Sequence, residues 1–385
     1  MTHKKSIIII FLSTLLMLCC TAFFNYIIDP YNLYGTNFHS LKKGRIANKT
    51  RIMKALRVSD LKPTSIILGT SKAEVGYDPN HQYFTKPSYN LALVGSSIYE
   101  NKLNFINALK QGNLQKVLLV VDMSMFTSPK QTAVGGLESY FDNPNIYKYL
   151  FSIGMLKDSI LTIMGTTNQY RPYLINGQVE QNFHWKYILE QGGYLANIKN
   201  RLSIDPNQES MYITNYTYKN TGKKSFPDFE EIVRLSYENN IELDIVFGPS
   251  HIRQWEALDY YLSYEKWTEW KKDIVISVNN IAKQHKQNQF RIMDFSVYHP
   301  LTAERVPADK NTQMKYHWES SHYKNELGLI VLDILMGNSK YKDFGVELNL
   351  ENIDEHIKNQ ASFRSKFIDT VQYKKNFKEY LFNNK

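Results

Sequence analysis

An uncharged stretch from Ser6 to Phe24, dominated by Ile, Leu, Met, Cys and Phe, limits what the start of this chain can become. A run of that length is about what a helix needs to cross a bilayer, and a helix satisfies its own backbone groups inside hydrocarbon. An export signal that is cleaved has a shorter apolar region ending at small residues. Here Met17-Leu18-Cys19-Cys20 continues into Thr21-Ala22-Phe23-Phe24-Asn25-Tyr26, which predicts an uncleaved anchor. The large residues ahead of Cys19 and Cys20 make a lipoprotein site the lesser alternative. His3, Lys4 and Lys5 precede the span, so the chain is expected to cross once, with its N-terminus inside the inner or cytoplasmic membrane and the remainder periplasmic or extracytoplasmic.

Both cysteines fall within that span, which removes disulfides, thiolate chemistry and cysteine-built zinc sites from the part beyond it. The formal net charge of +9 favours residence near anionic headgroups or acidic glycans. No nucleic-acid reader motif is found, so nucleic acid is not an expected partner. The 27 tyrosines suit sugar rings, but tyrosine also packs with its hydroxyl wet, and packing accounts for most of them.

The chain's 385 residues leave room, beyond the anchor, for one large α/β domain with insertions or for two domains. Short apolar runs at Ser65–Leu68, Tyr89–Leu91, Lys116–Val121, Glu242–Phe247 and Phe290–Phe295 alternate with helical spacing over 99–109, 228–239, 267–285 and 326–335. That alternation predicts a parallel sheet with helices on both faces, a fold that places ligands at the carboxyl edge of its strands. The expected organisation is an anchor over 1–28, an α/β domain over 29–340 and a charged, partly helical tail over 341–385. An insertion at about 127–221, rich in aromatics, Asn and Gly, is assigned to the substrate side.

The predicted strand ends carry the chemistry. Ser65–Leu68 stops at Gly69-Thr70-Ser71, which makes Ser71 the candidate nucleophile, although Ser and Thr after a strand also serve as plain turn and cap residues. Serine needs a base within hydrogen-bond reach, and the base works best with a carboxylate fixing its tautomer. Glu319 and His322, three apart in a loop, are able to form that pair. Gly95, after the second strand, is placed to offer a backbone N–H to an oxyanion. Asp122 is read first as a strand-end cap and second as a site residue. Gly248-Pro249-Ser250-His251 ends another strand; Ser250 or His251 is a candidate oxyanion or substrate donor, and helix capping is the alternative for His251. His317 is read as a solvated loop residue that competes with His322 as base. The histidines show no metal-ligand spacing, so no metal and no cofactor are expected.

Taken together, Gly69-Thr70-Ser71, Gly95 and Glu319-x-x-His322 resemble the first, second and last blocks of the SGNH/GDSL hydrolases. Asp29-Pro30-Tyr31, Ile67-Leu68-Gly69-Thr70-Ser71, Tyr89-Asn90-Leu91-Ala92, Pro249-Ser250-His251, Asp294-Phe295-Ser296 and Trp318-Glu319-Ser320-Ser321-His322-Tyr323 bring the chain closer to a membrane-anchored, exported subgroup. That subgroup includes the polysaccharide O-acylation proteins of the alginate acetylation and D-alanyl transfer type. The resemblance implies a three-layer, SGNH-like (flavodoxin-like) α/β fold, with Ser71 as nucleophile, His322 as base and Glu319 orienting it. Two departures stand out: no Gly-x-Asn-Asp supplies the family's third-block Asn, and Glu319 replaces the usual Asp. The leading expectation is therefore a serine acyl-ester hydrolase or O-acyltransferase acting on a cell-surface polysaccharide or glycolipid, with a membrane-bound acyltransferase as a candidate partner. The alternative is a catalytically silent glycan-binding or scaffold subunit of a membrane acylation machinery.

Overall fold

The structure is a computed structural model that describes residues 3–36, 41, 43, 46, 49–132, 137–142, 145–165, 173–197, 215–261 and 263–369. Short turns aside, its elements in chain order are α1 (His3–Ile28), α2 (Thr50–Leu61), β1 (Ser65–Leu68), α3 (Ser71–Gly76), β2 (Ser88–Asn90), α4 (Ile98–Lys110) and β3 (Lys116–Val121). They continue with α5 (Ile153–Ile163), α6 (Gln181–Glu190), α7 (Phe226–Glu238), β4 (Glu242–Phe247), α8 (Ile252–Tyr261), α9 (Tyr264–Gln284) and β5 (Ile292–Asp294). The last are α10 (Asn325–Leu335), β6 (Val346–Glu347) and α11 (Ile353–Asp369). The chain divides into two compact units, Met1–Asp60 with Gly136–Ile175, and Leu61–Gly135 with Asn176–Lys385.

In the larger unit the sheet order is β2-β1-β3-β4-β5-β6. The first five strands are parallel, and β1 and β3 are apolar and buried almost throughout, as strands covered on both faces must be. The sheet is mixed rather than purely parallel, because the two-residue β6 pairs antiparallel at the edge, Met293 with Glu347 and Asp294 with Val346. So short an edge strand leaves no periodicity to read. Strand order reverses between β1 and β3, and the crevice beyond the carboxyl ends of such a pair is where open α/β sheets receive ligands. Helix α4 starts on a capping box: Ser97 Oγ accepts from the Glu100 N–H at 3.1 Å, and the Ser97 N–H donates to Glu100 Oε2 at 3.4 Å. Ile67, Val120, Val246, Tyr323, Leu327 and Val331 belong to one buried cluster that ties α10 to the sheet.

The smaller unit holds α1, which is long and apolar enough to span a membrane. After it, the Asp29 carboxylate accepts from the N–H groups of Leu33 (2.7 Å) and Tyr34 (3.1 Å), turning the chain back. Tyr31, Leu33, Ile46, Ile52, Met53 and Met155 form its core. The expected insertion at 127–221 is thus not one body. Its 136–175 part clusters with the N-terminal segment, where α5 packs on α1, while the part from Asn176 onward belongs with the sheet. Tyr170 and all of 198–214, like 370–385 of the tail, lie outside the described residues.

Candidate active site

Ser71 opens α3 directly after β1, and the turn that delivers it depends on Gly69. That residue has φ +147°, and a Cβ there would lie 2.7 Å from Ala73 Cβ and 2.8 Å from the Val120 carbonyl oxygen, so only glycine fits. The Gly69 N–H donates to Asn101 Oδ1 at 2.7 Å, and its carbonyl accepts from Leu93 N–H (3.0 Å) and Ser96 Oγ (2.9 Å). Asn101 also donates to Ser96 Oγ at 3.0 Å. The loop carrying Gly95, at φ +58°, is thereby laced to the turn carrying Ser71.

The opposite side comes from the loop before α10. Its backbone closes on itself through Trp318 N–H to His322 O (2.9 Å) and Lys324 N–H to Tyr316 O (2.7 Å). Inside this loop the buried Glu319 carboxylate accepts from the N–H groups of Ser321 (2.9 Å) and His322 (3.1 Å) and from Ser321 Oγ (3.0 Å). It also accepts from His322 Nδ1. With the proton held on Nδ1, the Nε2 lone pair is free, and it faces Ser71 Oγ at 2.7 Å. Ser71, His322 and Glu319 therefore form one hydrogen-bonded chain, although Ser71 and His322 are 251 residues apart in sequence.

Two glycines set that approach. Gly76 of α3 and Gly328 of α10 meet backbone to backbone, and a Cβ on Gly328 would overlap the Gly76 carbonyl oxygen. Tyr323 lies against both Gly76 and Gly248. Gly328→Ala is therefore expected to push α10 off α3 and draw His322 away from Ser71. Overpacking of this kind costs about 1–3 kcal/mol, and a misplacement near 1 Å costs up to about 10²-fold in rate. Denaturant unfolding and the Ser71–His322 separation in a structure of the variant would check both.

Ser71 and Gly95 line a cavity of about 230 Å³ together with Asp122, Trp255, Trp267 and Trp270. Asp122 accepts from Thr70 Oγ1 at 2.6 Å and is paired with Lys72 Nζ, so the residues flanking Ser71 are pinned to the end of β3. Its place as a strand-end residue was legible in the sequence; its two partners were not. The three tryptophans, from α8 and α9, were missed altogether because they look like ordinary amphipathic helix residues. Part of the former insertion also reaches the site: His184 of α6 stacks on Trp318 (ring centroids 5.5 Å apart), whose Nε1 donates to Gln181 Oε1 at 3.1 Å.

The structure does not bring His251 to this cavity. Its Nδ1 accepts from the Arg253 N–H (3.2 Å) and its Nε2 donates to the Glu304 carbonyl (2.8 Å), leaving nothing to offer an oxyanion. Burial, followed by the neighbouring His317, holds its pKa well below the usual imidazole range. Ser250 does line the cavity, but its hydroxyl donates to the Ser321 carbonyl at 2.9 Å. His317 is fully buried rather than solvated, with its ring nitrogens facing Glu304 Oε2 (3.3 Å) and the Pro249 carbonyl (3.2 Å). The His251 N–H donates to Ser320 O at 3.1 Å. The Pro249-Ser250-His251 segment thus clamps the loop that presents Glu319 and His322. Among the described residues, no group of three or more His, Cys, Asp or Glu side chains is placed to hold a metal ion. A scan against protein-family models finds no match to this chain, and a search of curated proteins finds none either.

Proposed function

We propose that this chain is an SGNH-like, membrane-anchored serine acyl-ester hydrolase or O-acyltransferase that acts on a cell-surface polysaccharide or glycolipid. The observation that carries the reading is the continuous Ser71–His322–Glu319 hydrogen-bonded chain at the strand-order reversal of the sheet. Ser71 Oγ attacks the ester carbonyl while His322 Nε2 takes its proton, and Glu319 stabilises the imidazolium. The N–H of Ser71, unpaired as the first residue of a helix, and that of Gly95 are the oxyanion donors. Collapse expels the alcohol, which leaves with the proton from His322. His322 Nε2 then takes the proton of water or of a sugar hydroxyl as it attacks the acyl-Ser71 ester, and collapse breaks the acyl–Oγ bond and returns that proton to Ser71. Trp255, Trp267 and Trp270 give the cavity an apolar wall; their rings are already packed on one another, on Lys271 and on Phe247, so the wall excludes water from the acyl group rather than stacking on a sugar ring.

Treating the full chain in detergent with a serine-reactive phosphonate tests the assignment without knowing the native donor. The expected result is a single adduct that peptide mapping places on Ser71, absent from Ser71→Ala. A folded chain that takes no adduct, or takes it elsewhere, overturns the enzymatic reading in favour of a silent glycan-binding or scaffold subunit.

A further inference from the structure

Helix α5 is apolar on the face that the described residues leave exposed. Met155, Ser159 and Thr162 are buried, and Ser159 Oγ donates to Asn25 Oδ1 of α1 at 3.0 Å. Asn25 in turn donates to the Leu150 carbonyl at 2.8 Å just ahead of α5. About half a turn round from that buried row stand Ile153 (83% exposed), Ile160 and Met164 (66% exposed), with Ile163 and Phe151 exposed beside them. A helix at a water-covered surface carries its polar residues there. Here Lys157 is the one charged side chain of that exposed row among the described residues, and Asp158 is turned aside to accept from Tyr31 Oη at 2.7 Å.

What covers this face follows from its position on α1. That helix is exposed from Ile7 to Cys20 and becomes buried only at its last two turns, around Asn25. The distance from Ser6 to Asn25 along a helix is about 30 Å, the thickness of a bilayer's hydrocarbon. Asn25, and with it α5, therefore sits where hydrocarbon gives way to headgroups. The same unit gathers the residues that favour such depth: Lys49 lies over the Tyr149 ring and Lys148 over the Tyr140 ring, each 5.3 Å from the centroid. With 11 residues, α5 is too short to span.

We propose that α5 is a second membrane element, lying in the interface of the leaflet reached by the C-terminal end of α1. Ile153, Ile160 and Met164 enter the acyl chains, and the Lys157 ammonium extends along its own methylenes to the phosphates. The proposal is independent of the Ser71 chemistry.

Collision accessibility of a nitroxide label tests it. The full chain, with Cys19→Ala and Cys20→Ala, carries a single label at Ile153→Cys, Ile160→Cys or Met164→Cys and is placed as a single copy in phosphatidylethanolamine/phosphatidylglycerol nanodiscs. Leu15→Cys supplies the lipid reference and Glu269→Cys the aqueous one; all five positions are exposed, so the core is untouched. Labels on α5 are expected to follow Leu15, with collisions with oxygen exceeding those with a water-soluble nickel chelate, and Glu269 is expected to show the reverse. Labels that follow Glu269 overturn the proposal. Labels shielded from both reagents also overturn it, because the face is then covered by protein.

Discussion

Ser71→Ala is expected to lower the turnover of an activated aryl ester by roughly 10⁴- to 10⁶-fold, with the folded chain otherwise unchanged. The size of the loss follows from the proposed mechanism: with His322 Nε2, at 2.7 Å, as the base for Ser71 Oγ, loss of the hydroxyl leaves only the proposed oxyanion donors and substrate binding to act on water. His322→Ala is expected to cost about as much as Ser71→Ala. The double variant should cost no more than either, because residues that act as a unit are not additive. Glu319→Gln is the more discriminating change. It preserves the shape but offers His322 Nδ1 a group that can donate as well as accept, and disturbing the tautomer in this way costs about 10⁴-fold in a Ser-His-Asp triad. The Glu319 carboxylate also accepts from the Ser321 and His322 N–H groups, so thermal unfolding of the variant must be followed beside its rate. A Ser71→Ala chain within tenfold of the parent would end the serine-hydrolase reading.

The parts of the site that were legible in the sequence are those set by local rules. Ser65–Leu68 and Lys116–Val121 read as strands because a strand covered on both faces is a continuous apolar run, and Ser71 is then at a sheet edge whatever the rest of the chain does. The Glu319–His322 pair was legible because three residues of loop suffice to fold a carboxylate onto an imidazole. That this pair meets Ser71 is a consequence of strand order and of the Gly76–Gly328 approach, and neither leaves a local trace. His251 shows the converse. A Gly-Pro-Ser-His strand end looks the same whether its imidazole serves a ligand or braces a loop, and only the Arg253 and Glu304 backbone bonds decide between them. Likewise, nothing local in the stretch read as an insertion marks the α1 surface that the Met155, Ser159 and Thr162 face of α5 covers.

The cluster on Asp294, whose Lys271 and His356 partners leave no local trace in the sequence, is expected to matter most to stability. Asp294, at the end of β5, is fully buried, and its Oδ2 accepts from Lys271 Nζ of α9 (2.7 Å) and His356 Nε2 of α11 (2.9 Å). Its Oδ1 accepts from Ser296 N–H (2.9 Å) and Ser296 Oγ (2.5 Å). Asp294→Ala strands the buried Lys271 ammonium, with little more than the face of Trp267, 3.9 Å from its ring centroid, to offset it. Breaking a buried pair in this way costs about 3–5 kcal/mol, to be read from urea unfolding of the full chain in detergent at neutral pH. The pH dependence carries a definite sign. Burial by itself disfavours the Asp294 carboxylate, but the charge of Lys271 and the hydrogen bonds from His356 and Lys271 outweigh it and hold the pKa below the ordinary carboxylate range. A carboxyl depressed in the folded state adds stability above its unfolded pKa, near 4, and loses it as pH falls further. The gap between parent and variant should therefore be widest at neutral pH and narrow progressively below about pH 4. A gap under about 1 kcal/mol at neutral pH, the size of an exposed pair, would mean that the cluster is not the buried lock its geometry implies. Because Trp267 and Ser296 also line the cavity beside Ser71, the milder Asp294→Asn is expected to raise KM more than it lowers kcat: the walls shift while the Ser71–His322–Glu319 chain stays joined.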